Sequence, residues 1–394
     1  MTALTVSRYT LQRLAQLGID RIFGVPGDYA FSIDDEAEHV EGLSWVGCAN
    51  ELNAAYAADG YARIRGAAIL STTYGVGELS AINGVMGSKA HRLPVFHLVG
   101  MPSERIQKLG LITHHNLGDT VYDRFQPLSA AACCVSAVLT PDNCVEELER
   151  VIREALRQSM PAYLVISEVH GYMPLIGAPV QGQPLTAIRR QRSAPEELEA
   201  AVAAILSRLQ AASRPVAFLT HLVARYGVRD LAREFISRSN LPSATTPNDK
   251  GTIDEGMPQF IGLHNGVLSS SDDVRRLVQE ADLILDIGGL VSSELNTGFW
   301  TASYDPARTV SIQDNWVRTG DKVFLQVAIE DVLRALIERV TPRPGGHGLT
   351  LQPPAIGGAP DDAISSATFY PRLRSQLRAG DTLVVETGTC MLHC

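Results

Sequence analysis

Short apolar segments and segments with helical spacing alternate along the first part of the chain, and this alternation limits the fold more than any other feature. Residues 21–25, 68–73 and 94–100 have the composition of buried strands, whereas 145–158 repeats apolar residues at helical spacing. Such alternation predicts a mostly parallel sheet that is covered by helices on both faces. Ligands bind sheets of this type at the carboxyl ends of the strands. Residues that follow strand ends are therefore the first candidates for function.

Two stretches rich in proline and glycine interrupt the pattern, and we interpret 174–194 and 341–362 as linkers. Between them, 195–340 alternates again and predicts a central α/β domain. One helix and one strand follow in 363–394, and such a pair buries too little apolar surface to fold alone. The sequence therefore predicts an α/β protein with two doubly wound parallel-sheet domains in tandem, the first over 1–173. The last segment is predicted to be the first helix and strand of an incomplete third domain.

The overall composition argues against several classes of function. The formal net charge is −9, and nucleic acids are bound by basic surfaces, so we expect no nucleic-acid partner. No uninterrupted apolar run reaches the roughly 18 residues of a membrane helix. The N-terminus lacks the basic and apolar regions of a secretory signal, so no membrane association is expected. The six cysteines form no CxxC pair, which predicts reduced thiols in a cytoplasmic protein.

Four residues that lie beyond predicted strand ends or on loops could carry chemistry: Asp28, Glu51, His114 and His115. Each also has an ordinary structural explanation. Asp28 could cap a helix, Glu51 could be an acid that is favoured in a first helical turn, and neighbouring loop histidines are commonly exposed polar residues. As chemical groups, the histidines titrate near neutral pH and could donate protons. Adjacent side chains on a loop rarely converge, so we expect no metal site there.

A turn containing two glycines follows the predicted strand 68–73. Its sequence, Gly75-Val76-Gly77-Glu78, matches neither the GxGxxG motif nor a P-loop, so a phosphate site is only weakly indicated. Glycines at this place allow the backbone to approach a flat heteroaromatic ring closely. The turn therefore predicts contact with a ring rather than with a phosphate.

Several stretches taken together resemble the thiamine-diphosphate-dependent 2-oxo-acid decarboxylases of the pyruvate and indolepyruvate decarboxylase kind. The stretches similar to this family's pyrimidine-binding domain are 23–29, 50–63, 72–84, 99–103 and the paired histidines with 117–119. Those similar to its central domain are 250–255, 260–262, 286–288 and 296–299. The stretch 386–389 resembles the first strand of its diphosphate-binding domain. The resemblance thus covers almost the whole chain.

The resemblance implies a role for each of the four candidate residues. Glu51 would be the acid that activates the cofactor, by exchanging a proton with the far ring nitrogen of its aminopyrimidine. Asp28, His114 and His115 would handle the substrate carboxylate, protonation and product release. The activity implied is the conversion of a 2-oxo acid into an aldehyde and carbon dioxide, with thiamine diphosphate as the electron sink.

The resemblance also implies how the cofactor is held. Besides Glu51, the implied cofactor-binding residues are Pro26, Thr73, Val76, Thr387 and Gly388. The family forms dimers or dimers of dimers, in which each cofactor lies between the first domain of one subunit and the third domain of its partner. A homodimer or homotetramer is therefore expected for the complete enzyme.

The chain departs from the family pattern in its third domain. There the family carries a Gly-Asp-Gly motif followed by paired asparagines, which hold Mg²⁺ and the diphosphate. The sequence stops at Cys394, before that motif, so about one domain's worth of residues, on the order of 150, is expected to be absent. No residue of this chain is predicted to bind the Mg²⁺. We therefore expect this chain alone to bind the cofactor poorly and to be inactive.

Two functions from different classes remain open from the sequence. The first is an enzyme, in which the complete protein decarboxylates a 2-oxo acid. The family resemblance in segment 222–227 implies aryl or indole pyruvate rather than pyruvate, which stays possible. The second is a non-catalytic truncated subunit that pairs with an intact paralogue. The presence of all four catalytic-type side chains argues against a long-decayed remnant.

Overall fold

The computed structural model describes residues 4–180, 192–289, 293–344, 349, 355–359, 361–385, 388 and 390. The chain divides into two compact units, Met1–Arg192 and Ser193–Cys394. This division falls inside the linker predicted over 174–194. The domain limits predicted from the sequence stay predictions, and each unit is described below by itself.

The first unit contains one parallel sheet with helices on both sides. Its helices are α1 (Val6–Ala15), α2 (Phe31–Ala37), α3 (Glu51–Arg65), α4 (Val76–Ala90), α5 (Glu104–Leu109), α6 (Gln126–Ala131), α7 (Cys144–Gln158) and α8 (Glu168–Tyr172). Its strands are β1 (Arg21–Gly24), β2 (Ser44–Gly47), β3 (Ala68–Thr73), β4 (Val95–Met101), β5 (Val135–Leu139) and β6 (Ala162–Ser167). They form a six-stranded sheet in the order β2-β1-β3-β4-β6-β5, and all its pairs are parallel.

Burial on the two faces of this sheet explains why the central strands are continuously apolar. Ile69 of β3 packs in a cluster with residues of α1 and α7, whereas the next residue, Leu70, packs in a cluster with residues of α3 and α4. Successive strand residues point to opposite faces, so a strand covered on both sides needs apolar residues at every position. The predicted doubly wound fold is confirmed for this unit.

The second unit contains a mixed sheet. Its helices are α9 (Pro195–Ala211), α10 (Leu222–Arg225), α11 (Arg229–Ser239), α12 (Asp272–Gln279), α13 (Ile329–Arg339) and α14 (Ser366–Gln376). Its strands are β7 (Pro215–Leu219), β8 (Ser243–Thr245), β9 (Phe260–Leu263), β10 (Leu283–Ile287), β11 (Thr309–Ile312), β12 (Trp316–Thr319) and β13 (Lys322–Leu325). The seven strands lie in the order β13-β12-β11-β10-β7-β8-β9.

Two features of the second unit differ from the prediction. β12 pairs antiparallel with both β11 and β13, so the sheet is parallel-dominated rather than wholly parallel. A two-residue turn accounts for the β12–β13 pair. Gly320, with φ of +59°, and Asp321 join these strands, and glycine is favoured in such hairpin turns. The predicted final strand is the second difference. Its described residues 382–385 are exposed and belong to no strand, because no described residue pairs with their backbone.

Most of the helices bury apolar residues on one face. The longest in the described parts of the chain is α9, with 17 residues, and it buries Ala201, Val202, Ile205 and Leu209 on one face. No helix among the described residues is long and apolar enough to cross a bilayer.

Candidate active site

Four of the candidate residues lie at one edge of the first sheet. Asp28 begins a short 3-10 turn (Asp28–Ala30) that follows β1, and Glu51 is the first residue of α3, which follows β2. Thr73 is the last residue of β3, and Val76 is the first residue of α4. Because β1, β2 and β3 are parallel neighbours, their carboxyl ends meet at the same edge. The fold thus brings these positions to the side of the sheet where ligands bind.

Asp28 and the two histidines form one cluster. His114 Nε2 lies 2.7 Å from Asp28 Oδ2, and His115 Nε2 lies 3.5 Å from Asp28 Oδ1. The two imidazole ring centres are 4.2 Å apart, and the Tyr29 ring lies 5.1 Å from that of His114. All three polar side chains are partly exposed. They can therefore exchange protons with each other and with a bound molecule.

The backbone at the histidines explains how two adjacent side chains reach the same carboxylate. His115 has a φ of +68°, a left-handed conformation that is uncommon for residues other than glycine. The Tyr74 hydroxyl donates a hydrogen bond of 2.6 Å to the His114 carbonyl oxygen. The expectation that adjacent loop side chains do not converge was therefore wrong here. Strained backbone of this kind is often found at functional sites.

Glu51 occupies the first turn of α3, and its position is set by the helix start. The Asn50 side chain accepts a hydrogen bond of 2.8 Å from the Asn53 amide, which caps the helix. A Cβ atom added to Gly77 would lie 3.4 Å from Glu51 Oε1 and 3.0 Å from Thr73 Cγ2. The Glu51 carboxylate and Thr73 therefore both lie against Gly77, at the start of α4.

Thr73 also contacts the turn that carries Asp28. A Cβ atom added to Gly27 would lie 2.7 Å from Thr73 Cβ, too close for any larger residue. Glycine is required here because the turn after β1 packs directly on the end of β3. Thr73 therefore lies between the Asp28 turn and the start of α4, where Glu51 approaches Gly77.

Comparison with known proteins gives this arrangement a family. Residues 4–126 match the model "Thiamine pyrophosphate enzyme, N-terminal TPP binding domain", and 202–339 match "Thiamine pyrophosphate enzyme, central domain". Pyruvate decarboxylase isozyme 3 of Saccharomyces cerevisiae is 34% identical over 394 residues, which are 99% of this chain and 69% of the relative. This chain belongs to the thiamine pyrophosphate enzymes. Within them it is homologous to 2-oxo-acid decarboxylases.

Two further relatives come from different organisms. Pyruvate decarboxylase of Hanseniaspora uvarum is 35% identical over 398 residues, covering 99% of this chain and 69% of the relative. Alpha-keto-acid decarboxylase of Mycobacterium leprae is 34% identical over 391 residues, covering 98% of this chain and 67% of the relative. The similarity therefore extends across both units.

The residues at the sheet edge fit the pyrimidine half of the family's cofactor. Thr73 Oγ1 is buried and has no hydrogen-bond partner among the described residues, so it is available to a polar atom of a ligand. Gly27 and Gly77 lie beside Thr73 and have no side chains that would fill the space next to it. The exposed apolar side chain of Val76 suits contact with a flat ring. Pro26 is exposed beside them. When bound, thiamine diphosphate supplies the site with an electron sink.

The other two predicted cofactor contacts belong to the second unit. Thr387 lies outside the described residues. Gly388 is an exposed turn residue with a φ of +159°. Their predicted contacts with cofactor or substrate stay predictions.

Sequence reasoning missed residues that hold the site together. Tyr29 and Tyr74 are buried beside the histidines, and burial raises the pKa of Tyr29 to about 12, so both hydroxyls stay protonated as donors. Glu78 is wholly buried and accepts hydrogen bonds from the Gly75 amide (2.9 Å), Ser129 Oγ (2.6 Å) and the Tyr163 hydroxyl (2.9 Å). The adjacency of Tyr29 to Asp28, and the position of Tyr74 and Glu78 around the glycine turn, were the available signals.

A buried histidine near the site has a structural role. His97 lies in β4, and its Nε2 is 2.9 Å from Thr72 Oγ1. Burial lowers the pKa of His97 to about 3, so the ring stays neutral at physiological pH. His97 is thus unsuited to proton transfer there, in contrast to the exposed histidines.

Asp34 of α2 is a buried carboxyl group that supports the Asp28 turn. It accepts hydrogen bonds from Ser71 Oγ at 2.6 Å and from the Gly27 amide at 3.4 Å. Burial raises the pKa of Asp34 to about 7, although these two hydrogen bonds act in the opposite direction. The group therefore changes charge near neutral pH, and it is hydrogen-bonded to the amide of Gly27, one residue before Asp28.

Replacing Asp34 with asparagine is expected to remove part of the pH dependence of stability. Folded Asp34 keeps its proton up to about pH 7, whereas unfolded aspartate releases it near 3.8. The folded state therefore loses stability as the pH rises, by about 2–3 kcal/mol between about pH 5 and pH 7. Urea unfolding of the wild type and Asp34→Asn at both pH values measures this loss, with the exposed neighbour variant Asp35→Asn as control. An unchanged pH dependence in Asp34→Asn would contradict the assignment.

Proposed function

We propose that this chain carries the substrate-binding and proton-transferring part of a non-oxidative 2-oxo-acid decarboxylase, which forms an aldehyde and carbon dioxide. The observation that carries this proposal is the convergence of Asp28, His114 and His115 at the sheet edge that also holds Glu51. A carboxylate in contact with two imidazoles can hold and pass a proton near neutral pH. Homology to 2-oxo-acid decarboxylases supports the reaction class.

Within this proposal, Glu51 acts on the cofactor side. Its carboxyl group would exchange a proton with the far ring nitrogen of the aminopyrimidine, while Pro26, Thr73 and Val76 line that ring. The start of α3 fixes the Glu51 backbone, and Gly77 leaves room for the carboxylate to face the ring. Glu51 thus holds a proton at a defined place without contacting the substrate.

Asp28 and the histidines act on the substrate side. His114, in contact with Asp28, would bind the substrate carboxylate and then deliver a proton to the carbon that loses carbon dioxide. Asp28 orients the His114 ring through the 2.7 Å contact with its Nε2 atom. His115, whose backbone is held in the left-handed region, would complete the contact with the leaving group. Each role needs only proton movement at the named side chains.

We further propose an aromatic 2-oxo acid, aryl or indole pyruvate, as the favoured substrate, with pyruvate possible. Support comes from Ile112 and Leu117, apolar side chains that are 72% and 70% exposed. Both lie on the histidine loop, the segment 110–125 between α5 and α6 that carries His114 and His115. An aromatic substrate would cover such surface, and pyruvate would not. Comparing kcat/KM for phenylpyruvate, indolepyruvate and pyruvate tests this in an enzyme that carries its diphosphate-binding residues. A higher value for pyruvate would overturn the aromatic preference and leave the reaction class standing.

The 394 residues contain neither a Gly-Asp-Gly motif nor paired asparagines. We therefore propose that Mg²⁺ and the diphosphate are bound outside these residues, and we expect the 394-residue chain alone to be almost inactive. The assay is aldehyde release from phenylpyruvate or indolepyruvate with excess thiamine diphosphate and Mg²⁺. Turnover near about 1 per second, an ordinary enzymatic rate, would show that this chain binds the cofactor by other means.

Self-association and a cytoplasmic location complete the proposal. Tyr56 and Ile64 on α3 and Met86 on α4 are exposed large side chains, at 52%, 84% and 47%. Exposed apolar side chains on packed neighbouring helices suit contact with a second subunit, which supports a homodimer or homotetramer of the complete enzyme. Light scattering of the purified protein measures the assembly, and a monomer at micromolar concentration would argue against it.

A further inference from the structure

We propose that the cluster of Asp28, His114 and His115 binds a borderline divalent transition metal ion such as Zn²⁺, in the place where the substrate carboxylate would bind. Metal binding would make Zn²⁺ an inhibitor that competes with the 2-oxo acid. The inhibition rests on the proposed function, whereas the binding of metal does not.

The first argument is the distance between the ligand atoms. One oxygen of Asp28 and one ring nitrogen from each histidine all lie within 4.8 Å of one another. Zinc bonds to histidine nitrogen and carboxylate oxygen are about 2.0–2.2 Å long, so neighbouring ligand atoms in a tetrahedral site are about 3.3–3.5 Å apart. His115 Nε2 and Asp28 Oδ1 are 3.5 Å apart already. His114 Nε2 lies 2.7 Å from the other carboxylate oxygen, Oδ2. Small movements of the Asp28 carboxylate and the His114 ring would therefore bring both nitrogens to an ion that is held by one oxygen.

The second argument is the kind of ligand. Two imidazoles and one carboxylate are ligands that suit zinc, nickel and copper, whereas Mg²⁺ prefers oxygen ligands alone. Three protein ligands leave a fourth position open, as in zinc sites that bind a water or a substrate group. The site would therefore accept Zn²⁺ together with water or with the carboxylate of a bound acid.

The third argument is that the backbone holds both histidines in place without a metal. The Tyr74 hydroxyl donates a hydrogen bond to the His114 carbonyl oxygen. Gly75 lies so close to the His115 carbonyl oxygen that no side chain would fit between them. The left-handed φ of His115 turns both rings toward Asp28. A site arranged in advance loses less conformational entropy when the ion binds. The ring nitrogens themselves stay accessible, because both histidines are partly exposed.

Titration of Zn²⁺ into the 394-residue chain tests the binding. We expect one ion per chain by calorimetry, together with shifts of the ring-nitrogen NMR signals of His114 and His115 in protein labelled at histidine. His114→Gln, His115→Gln and Asp28→Asn should each weaken binding at least about tenfold, the effect typical of disturbing a metal site. His39→Gln, which changes an exposed histidine of the same unit, is the matched control and should leave binding unchanged.

The NMR signals keep this test independent of any Zn²⁺ bound at the free cysteines. If each of the three variants binds Zn²⁺ as tightly as the wild type, or if Zn²⁺ shifts neither histidine signal, the proposal is overturned. In the complete decarboxylase, Zn²⁺ should raise the apparent KM for the 2-oxo acid without lowering kcat, and excess Mg²⁺ should not relieve the effect. Relief by Mg²⁺ would overturn the competition with substrate.

The two proposals fail in different ways. If the chain binds Zn²⁺ at the histidines but the complete protein decarboxylates no 2-oxo acid, the proposed function is wrong and the metal site stands. If the complete protein is an active decarboxylase but its histidines bind no Zn²⁺, the metal site is wrong and the proposed function stands.

Discussion

Replacing Glu51 with glutamine is expected to slow activation of the cofactor by about 10²–10⁴-fold, the usual contribution of a positioned acid or base. The amide cannot exchange a proton with the pyrimidine ring, although it has almost the same shape as the carboxyl group. The measurement is exchange of the cofactor's thiazolium proton in deuterated water, followed by NMR in an enzyme that carries its diphosphate-binding residues. Because Asn50 rather than Glu51 caps α3, the fold should remain intact.

Glu41→Gln is the matched control for this experiment. Glu41 is an exposed acid in the turn before β2, so it undergoes the same chemical change in the same unit but away from the sheet edge. It should exchange the proton at the wild-type rate. A normal exchange rate in Glu51→Gln would reduce Glu51 to an ordinary acid in a first helical turn.

Replacing Gly75 with alanine is expected to destabilise the first unit and displace the paired histidines. The added Cβ would lie 1.8 Å from the His115 carbonyl oxygen, a backbone atom that cannot rotate away. Gly75 also has a φ of +67°, which costs other residues about 1–2 kcal/mol. Overpacking adds about 1–3 kcal/mol. Chemical denaturation measures the loss of stability, and histidine NMR measures the displacement.

Gly87→Ala provides the comparison in α4, the helix that Gly75 immediately precedes. Gly87 lies within α4 and has no atom within 4 Å of the position its Cβ would take. Alanine is the better helix former by about 1 kcal/mol, so this variant should be as stable as the wild type or more stable. Equal stability of Gly75→Ala and Gly87→Ala would show that the loop carrying the histidines moves freely to accept a side chain.

Much of the fold could be predicted from the sequence because the strands are covered on both faces. β3, β4 and β6 are continuously buried, and such strands have apolar runs that stand out between helices. β5 was missed, since its burial alternates along the strand and its apolar signal is weaker. The β12–β13 hairpin was missed for a similar reason, because β13 is largely exposed. Both lie at sheet edges, where packing constrains the sequence least.

The site could be predicted residue by residue but not as an arrangement. The spacing around Asp28 and Glu51 located both at strand ends, because that follows from local sequence and parallel topology. The convergence of the histidines depends on one left-handed backbone angle at His115 and on the hydroxyl of Tyr74 in the turn after β3. Neither leaves a periodic signal in the chain. Buried carboxyl groups such as Asp34 and Glu78 were also missed, because their hydrogen-bond partners are distant in sequence.

The attachment of the histidine loop to Tyr74 has a consequence for how substrate range can evolve. The loop is held at 113–115, where Tyr74 binds Thr113 and His114, and again at Tyr122, whose hydroxyl donates to the Leu111 carbonyl oxygen. Between these points, the amides of Gly118 and Val121 bind side chains of the loop itself. Changes of length or side chain in 117–121 can therefore accumulate without moving the imidazoles. Selection for a new 2-oxo acid would act on residues 117–121 of the loop. Residues 113–115 would keep the positions of both histidines unchanged.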